Sequence, residues 1–405
     1  MRSAKIKADL NGVGDLLDKL VKSGILPGAN ILLLKGGTEA YYHQAGLQDV
    51  ASATPLSRDT LFRVYSMTKP VTAVAAMILV DDGLLNLDDP VTTYLPELSN
   101  LSVHTGTVDG TLQTEAAGVM SVKDLLTHTA GFSYWFQPGS PVASLYEEIG
   151  AGRHEQWRFM PDYGGLEGFV KSLANVPLVG QPGKRWHYGL SLDVAGLVVE
   201  RASGQKLDAF MQERIFGPLG MGDTGFSVPR ANAPRLASLY GPTPEGDLEL
   251  LESGASSPLL RRSQGFAGGG GLVSTVDDYG KFATMLVNRG ELDGVRILSP
   301  AAAAALMSNQ LDPSLLAELP LLAAFGLGGS GGGLGFGLGG AVVVDAGKMG
   351  APTPLGEYAW GGAASTTFWA DPENNLAVVF MTQLAPPSPE MLRDQLHAAI
   401  YDPAD

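Results

Sequence analysis

Cysteine is absent from the 405 residues. That excludes disulfides, thiolate metal sites and a cysteine nucleophile, so any covalent catalysis has to use another side chain. No stretch approaches the roughly 18 consecutive apolar residues of a membrane span. The N-terminal "MRSAKIKADLNGVGDLLDKLVKSG" also lacks the continuous apolar segment of a signal peptide. A soluble, cytoplasmic protein is expected, with no membrane partner. Positive charge is scarce, with 27 Lys and Arg against 42 Asp and Glu and a formal net charge of -15. This balance disfavours nucleic acid and acidic membranes as partners and otherwise serves solubility. The six histidines form no H-x-x-x-H or H-E-x-x-H pattern, so neither a metal nor a cofactor is expected. What remains is globular in composition, 45% hydrophobic and 17% charged. The length suits one large domain or two to three ordinary ones.

Leu10, Val13, Leu16, Leu17, Leu20 and Val21 recur at helical spacing until Gly24 and Pro27 stop the helix. "ANILLLKGGTEAYYHQAG" then reads as a hairpin around Lys35-Gly36-Gly37. Near the other end "STTFWADPENNLAVVFMTQL" reads as a second hairpin turning through Asp371 to Asn374, and Pro389 to Ile400 as a closing helix. Between them lie mostly helical segments: a Ser121/Asp124 capping box before Gly131, a helix ending near Gly204, and one from Leu207 to Phe216. Residues 326–340 are glycine-rich and read as a mobile loop leading into a strand at Ala341 to Val344. An α+β unit built from both chain ends, with a helical insertion, is expected.

"RVYSMTKPVTAVAAMILVDDG" places Ser66 and Lys69 three positions apart before an apolar run. On a helix these side chains share a face. At a helix N-terminus the free N–H groups favour a hydroxyl that becomes an alkoxide and then an acyl-enzyme. The spacing is equally compatible with Ser66 as an ordinary N-cap. "SGQK", Ser203 to Lys206, has the same spacing but straddles Gly204 between two helices. It reads as a C-terminal cap and a solvated charge. "GGSGG" around Ser330 matches a nucleophile elbow, yet it lacks the strand-to-helix turn that motif needs.

Six blocks, "LFRVYSMTKP", "LLTHTAGFSYW", "WHYGLSLDVAG", "IFGPLGMGDTGF", "GGGGLVSTVDDYGKFATML" and "WGGAASTTFWADP", together resemble the serine β-lactamase and penicillin-binding protein superfamily. The similarity is greatest to class C β-lactamases and family VIII carboxylesterases. The resemblance implies an antiparallel sheet flanked by helices, with a mainly helical region beside it and the site between them. It places the sheet region approximately in 1–76, 135–180 and 256–405, and the helical region in 77–134 and 181–255. It further implies Ser66 as nucleophile, Lys69 as its partner, Tyr188 as the family tyrosine, and an oxyanion hole from the backbone N–H groups of Ser66 and Ala363. The strand triplet becomes Trp360-Gly361-Gly362. "KSG" at Lys22 to Gly24 and "HTG" at His104 to Gly106 mimic that triplet, but in the wrong chain order.

Two departures point away from β-lactams: Leu190 stands where class C enzymes carry asparagine, and Trp360 where they carry a lysine that attracts the substrate carboxylate. Tyr-x-Leu with Trp-Gly-Gly resembles the carboxylesterases, whose small-molecule substrates are uncharged esters. Tyr188 is then expected to be the general base, held by Lys69. Trp360, Gly361, Gly362, Tyr134 and Trp135 are expected in the substrate pocket, Phe136 and Trp186 also flank the motifs as candidate lining, and His128 is read as structural.

Overall fold

The computed structural model describes residues 4–137, 139–151, 164–262, 265–316, 332–387 and 392–403. Its centre is an eight-stranded antiparallel sheet. The strands run in the order Leu334–Phe336, Ala341–Val343, Tyr358–Gly361, Thr367–Asp371, Leu376–Thr382, Gly28–Lys35, Thr38–Asp49 and Thr54–Pro55. The two chain ends meet in the middle, where Leu376 pairs with Lys35 and Thr382 with Ala29. Both expected hairpins are present. Gly36 and Gly37, with φ of 59° and 78°, form the two-residue turn whose left-handed residues match the twist of the flanking strands.

The apolar run in the strand Gly28–Lys35 is continuous because both faces of the sheet are covered. Ala29, Ile31 and Leu33 pack with Val13, Leu17 and Leu20 of the helix Asn11–Lys22 and with Leu396 and Ile400 of the helix Leu392–Ile400. Leu32 and, from the neighbouring strand, Ala377, Val379 and Met381 face the opposite way, into the larger core that holds Tyr279 and Phe282 of the helix Val276–Val287. Each fully buried Leu, Ile or Phe contributes about 1.5–3 kcal/mol, so this period-two alternation fixes the sheet register. The closing helix is pinned as well as packed: buried Arg393 and His397 both reach the carboxylate of Glu357, the residue before the strand that carries Trp360.

The larger core extends into a helical layer. The helix Thr68–Asp81, buried from Thr68 to Leu79, packs against Ser191–Ser203, which also touches Leu166–Leu173 and Val122–Leu126. The Ser121/Asp124 capping box is formed. The segment from Leu207 is helical to Met211 and then widens into a π turn over Gln212–Phe216. The glycine-rich stretch differs from its reading as a loop: its described part contains the edge strand Leu334–Phe336, paired with Ala341–Val343. A side chain on Gly335 would collide with Asn309 and Val344, and a side chain on Gly340 with Tyr358. The glycines there serve close packing of backbone against neighbours. Ser330 lies outside the described residues. Among the described residues no helix is long and apolar enough to cross a membrane.

Candidate active site

Ser66 sits in a single tight turn, Tyr65–Met67, that runs directly into the helix beginning at Thr68. Tyr65 takes a left-handed φ of 41°, a conformation that β-carbon-bearing residues hold only when their surroundings enforce it. The Ser66 hydroxyl makes no capping hydrogen bond to the helix backbone. It instead accepts hydrogen bonds from Lys69 Nζ at 3.0 Å and from the Tyr188 hydroxyl at 2.8 Å. The ordinary N-cap alternative for Ser66 therefore fails. Ser203 and Lys206 satisfy only local groups: the hydroxyl donates to the Val199 carbonyl, and the exposed ammonium pairs with Glu200.

Lys69 is completely buried. Its Nζ also donates to the Gly269 carbonyl at 2.6 Å and lies 4.8 Å from the centre of the Tyr188 ring and 5.5 Å from that of Tyr134. Burial disfavours the ammonium and pushes its pKa down to about 7, against the opposing pull of the Asp193 carboxylate. Tyr188, itself buried, moves the other way. Burial raises its pKa and the nearby Asp193 adds to the rise, while hydrogen bonding with Ser66 and Trp360 only partly offsets them. Burial thus acts on both groups toward their neutral forms, the free amine of Lys69 and the phenol of Tyr188.

Two residues that sequence reasoning missed hold this arrangement. Asp193 lies in the first turn of the helix Ser191–Ser203 and accepts from the Gly269 N–H at 3.0 Å. The Gly269 carbonyl then receives Lys69. A side chain at Gly269 would collide with the Asp193 carboxylate, so the four-glycine run at 268–271 brings bare backbone between acid and amine. The available signal was an acidic residue in the mostly apolar stretch "LSLDVAGLVV", five positions after Tyr188.

Ser66 and Tyr188 open onto a cavity of about 630 Å³, also lined by Tyr65, Phe136, Leu239, Leu251, Glu252, Trp360, Gly361, Gly362, Ala363, Ala385, Pro386 and Pro387. The strand triplet and Ala363 are where the sequence reading expected them, with Trp360 buried and its ring 5.5 Å from that of Tyr188. Tyr134 and Trp135 are one layer back and do not line the cavity. Tyr134 stacks on Phe136 and leans on Tyr188, while Trp135 meets Tyr134 and Phe136 edge-on. Phe136 takes the place at the wall. Leu239 and Leu251, from the hairpin Leu239–Pro242 and Leu248–Glu252, carried no sequence signal that linked them to Ser66.

The Beta-lactamase family model matches residues 13–402. The chain belongs to the beta-lactamase family. This beta-lactamase family member is 35% identical over 384 residues to Protein Rv1367c of Mycobacterium tuberculosis, covering 93% of the chain and 91% of that protein. It is 31% identical over 401 residues to Esterase EstB of Burkholderia gladioli, covering 95% and 92%. The solved structure of "EstCE1, a hydrolase with promiscuous acyltransferase activity" is similar with a TM-score of 0.78 and 27% identity, over 97% of each chain. Family, fold and relatives together support serine hydrolase or acyltransferase chemistry.

Proposed function

We propose that the protein is a serine carboxylesterase that hydrolyses uncharged small-molecule esters, with short to medium acyl groups transferred through a Ser66 acyl-enzyme. The observation that carries this reading is the Ser66 hydroxyl between Lys69 and Tyr188 on the wall of a cavity whose lining, among the described residues, includes no Lys or Arg. In the first step Ser66 Oγ attacks the ester carbonyl as its proton passes to neutral Lys69. The backbone N–H groups of Ser66 and Ala363, two residues that line the same cavity, stabilise the oxyanion. The C–O bond to the alcohol then breaks, Tyr188 protonates the departing oxygen, and Lys69 returns a proton to Tyr188. Water adds to the acyl-enzyme by the reverse path and releases the acid.

An alcohol in place of that water would give acyl transfer, the promiscuous activity of EstCE1. Turnover of β-lactams, D,D-peptides or amides is the competing use of the same scaffold. The absence of a cationic side chain from the described lining residues disfavours the first two. A non-catalytic binding role is disfavoured by the assembled Ser66, Lys69 and Tyr188.

The test is hydrolysis of p-nitrophenyl butyrate and of a chromogenic cephalosporin by the wild type and Ser66→Ala. Butyrate turnover lost in Ser66→Ala, with slow cephalosporin cleavage, is expected. Butyrate turnover that survives in Ser66→Ala would assign the chemistry to another residue, and faster cephalosporin than butyrate turnover would favour the β-lactamase reading.

A further inference from the structure

The cavity at Ser66 is far larger than a short ester requires. A closed apolar cavity of about 150 Å³ is filled by one benzene molecule, so the 630 Å³ here corresponds on that scale to about 25 non-hydrogen atoms. The butyryl ester of a simple phenol would fill roughly half of it. Lining atoms left without a partner lose their dispersion contacts, so a substrate that fills the space gains affinity that a small one does not.

The chemistry of the walls narrows the class. Phe136, Leu239, Leu251, Trp360, Pro386 and Pro387 present apolar surface. The carboxylate among the described lining residues, Glu252, is neutralised by buried Arg63, whose Nε and Nη2 lie 3.1 Å and 2.6 Å from it, and also accepts from Ser257. With Glu252 already paired and no Lys or Arg among the described lining residues, no cationic side chain there is free to attract an anionic substituent on the ester. Phe136 and Leu251 are each about half exposed, so the apolar surface continues outward from the cavity. Solvent-facing phenyl and leucine side chains beside a nucleophile are best explained by a ligand that covers them.

We infer that the ester processed at Ser66 carries a bulky, uncharged apolar group of about twenty non-hydrogen atoms, seated against Phe136, Leu239, Leu251 and Trp360. This rests on the esterase reading above. It goes beyond that reading because it sets the size and charge of the group, which can belong to the alcohol or to the acyl part.

Two ester series separate those sources. The first keeps butyrate and enlarges the alcohol from phenol through 2-naphthol to 1-hydroxypyrene, with each rate taken relative to that ester's own hydroxide-catalysed hydrolysis because the larger phenols are better leaving groups. The second keeps p-nitrophenol and enlarges the acyl part from butyrate to 1-pyrenebutyrate. In at least one series kcat/KM is expected to rise 30-fold or more from the smallest to the largest member. A rise in the first places the group on the alcohol, and a rise in the second places it on the acyl part. Leu251→Trp should reduce that ratio at least tenfold, and a carboxylate added to the pyrene should do the same in the wild type. A flat or falling kcat/KM in both series, alongside Ser66-dependent hydrolysis of phenyl butyrate, overturns the size inference and leaves the esterase reading standing. A ratio unchanged in Leu251→Trp overturns the placement of the group. Hydrolysis of phenyl butyrate that persists in Ser66→Ala overturns the esterase reading itself.

Discussion

Tyr188 donates its hydroxyl to Ser66 Oγ at 2.8 Å from 122 residues further along the chain. Lys69 approaches the same oxygen from one helical turn away. On the mechanism proposed above, Lys69 takes the serine proton, while Tyr188 steadies the oxygen and protonates the leaving alcohol. Tyr188→Phe is expected to lower kcat for p-nitrophenyl butyrate by about 10²–10⁴-fold with little change in KM, because the phenol acts mainly in the transition state. Lys69→Met should lose at least as much and should also slow labelling of Ser66 by a fluorophosphonate. Full activity in Tyr188→Phe would remove the tyrosine from the mechanism.

The pH dependence follows from the burial of Lys69. Its pKa, pushed down to about 7, leaves the amine protonated and unable to accept at lower pH. The kcat/KM profile should therefore rise as pH increases through about 7. Tyr188, with its pKa raised, remains protonated on the alkaline side and keeps its donor role there. Asp193 opposes the drop at Lys69, so Asp193→Asn should move the rising limb to lower pH while the Asn side-chain oxygen still accepts from Gly269. A limb that stays in place or moves to higher pH would remove Asp193 from control of the amine.

How much of this could be read from the chain depends on the range of each interaction. The hairpin at Gly36-Gly37, the helix before Gly24 and the capping box at Ser121 are local, and period and turn chemistry encode them directly. Ser66, Lys69 and Tyr188 were legible because the first two share a helical face and the third sits in a recognisable block. The partnership of Lys69 with Gly269 and Asp193 spans 200 residues at its longest hydrogen bond, and nothing periodic marks it. Leu239 and Leu251 belong to a short hairpin whose position over Ser66 is decided by tertiary packing. Tyr134 and Trp135 were misplaced for a related reason: in three consecutive aromatics, sequence alone does not say which ring faces the cavity.

Gly362 joins the strand triplet to Ala363 beneath the nucleophile turn. A β-carbon there would collide with the Val64 carbonyl oxygen and with the Thr366 hydroxyl, and Val64 lies two residues before Ser66. The strand can therefore lie this close to the turn only with bare backbone at that position. Gly362→Ala should push Ala363 away from the position where the oxyanion forms. The expected loss in kcat is about 10²–10³-fold, the size seen when one oxyanion donor is removed, with the protein still folded by circular dichroism. A folded variant with unchanged kcat would exclude the Ala363 amide as a donor.

His128 is a further ionisable group against the site, and its geometry makes it a clamp. It is fully buried with a left-handed φ of 57°, and its ring lies 4.8 Å from that of Tyr188. Its carbonyl accepts from the N–H of His187 at 2.8 Å, and its Nδ1 accepts from the N–H of Gly189 at 3.4 Å. Both backbone neighbours of Tyr188 are thereby tied to one residue. Burial, then the nearby Lys69 and His187, hold its pKa well below the usual histidine range, so it stays neutral. His128→Ala should lower stability by about 2–4 kcal/mol in urea unfolding, as for other large buried side chains. It should also lower kcat by about 10–100-fold through loosened positioning of Tyr188. The rising limb near pH 7 should persist, since it belongs to Lys69. Loss of that limb in His128→Ala would instead make the imidazole the base, and the lysine only its neighbour.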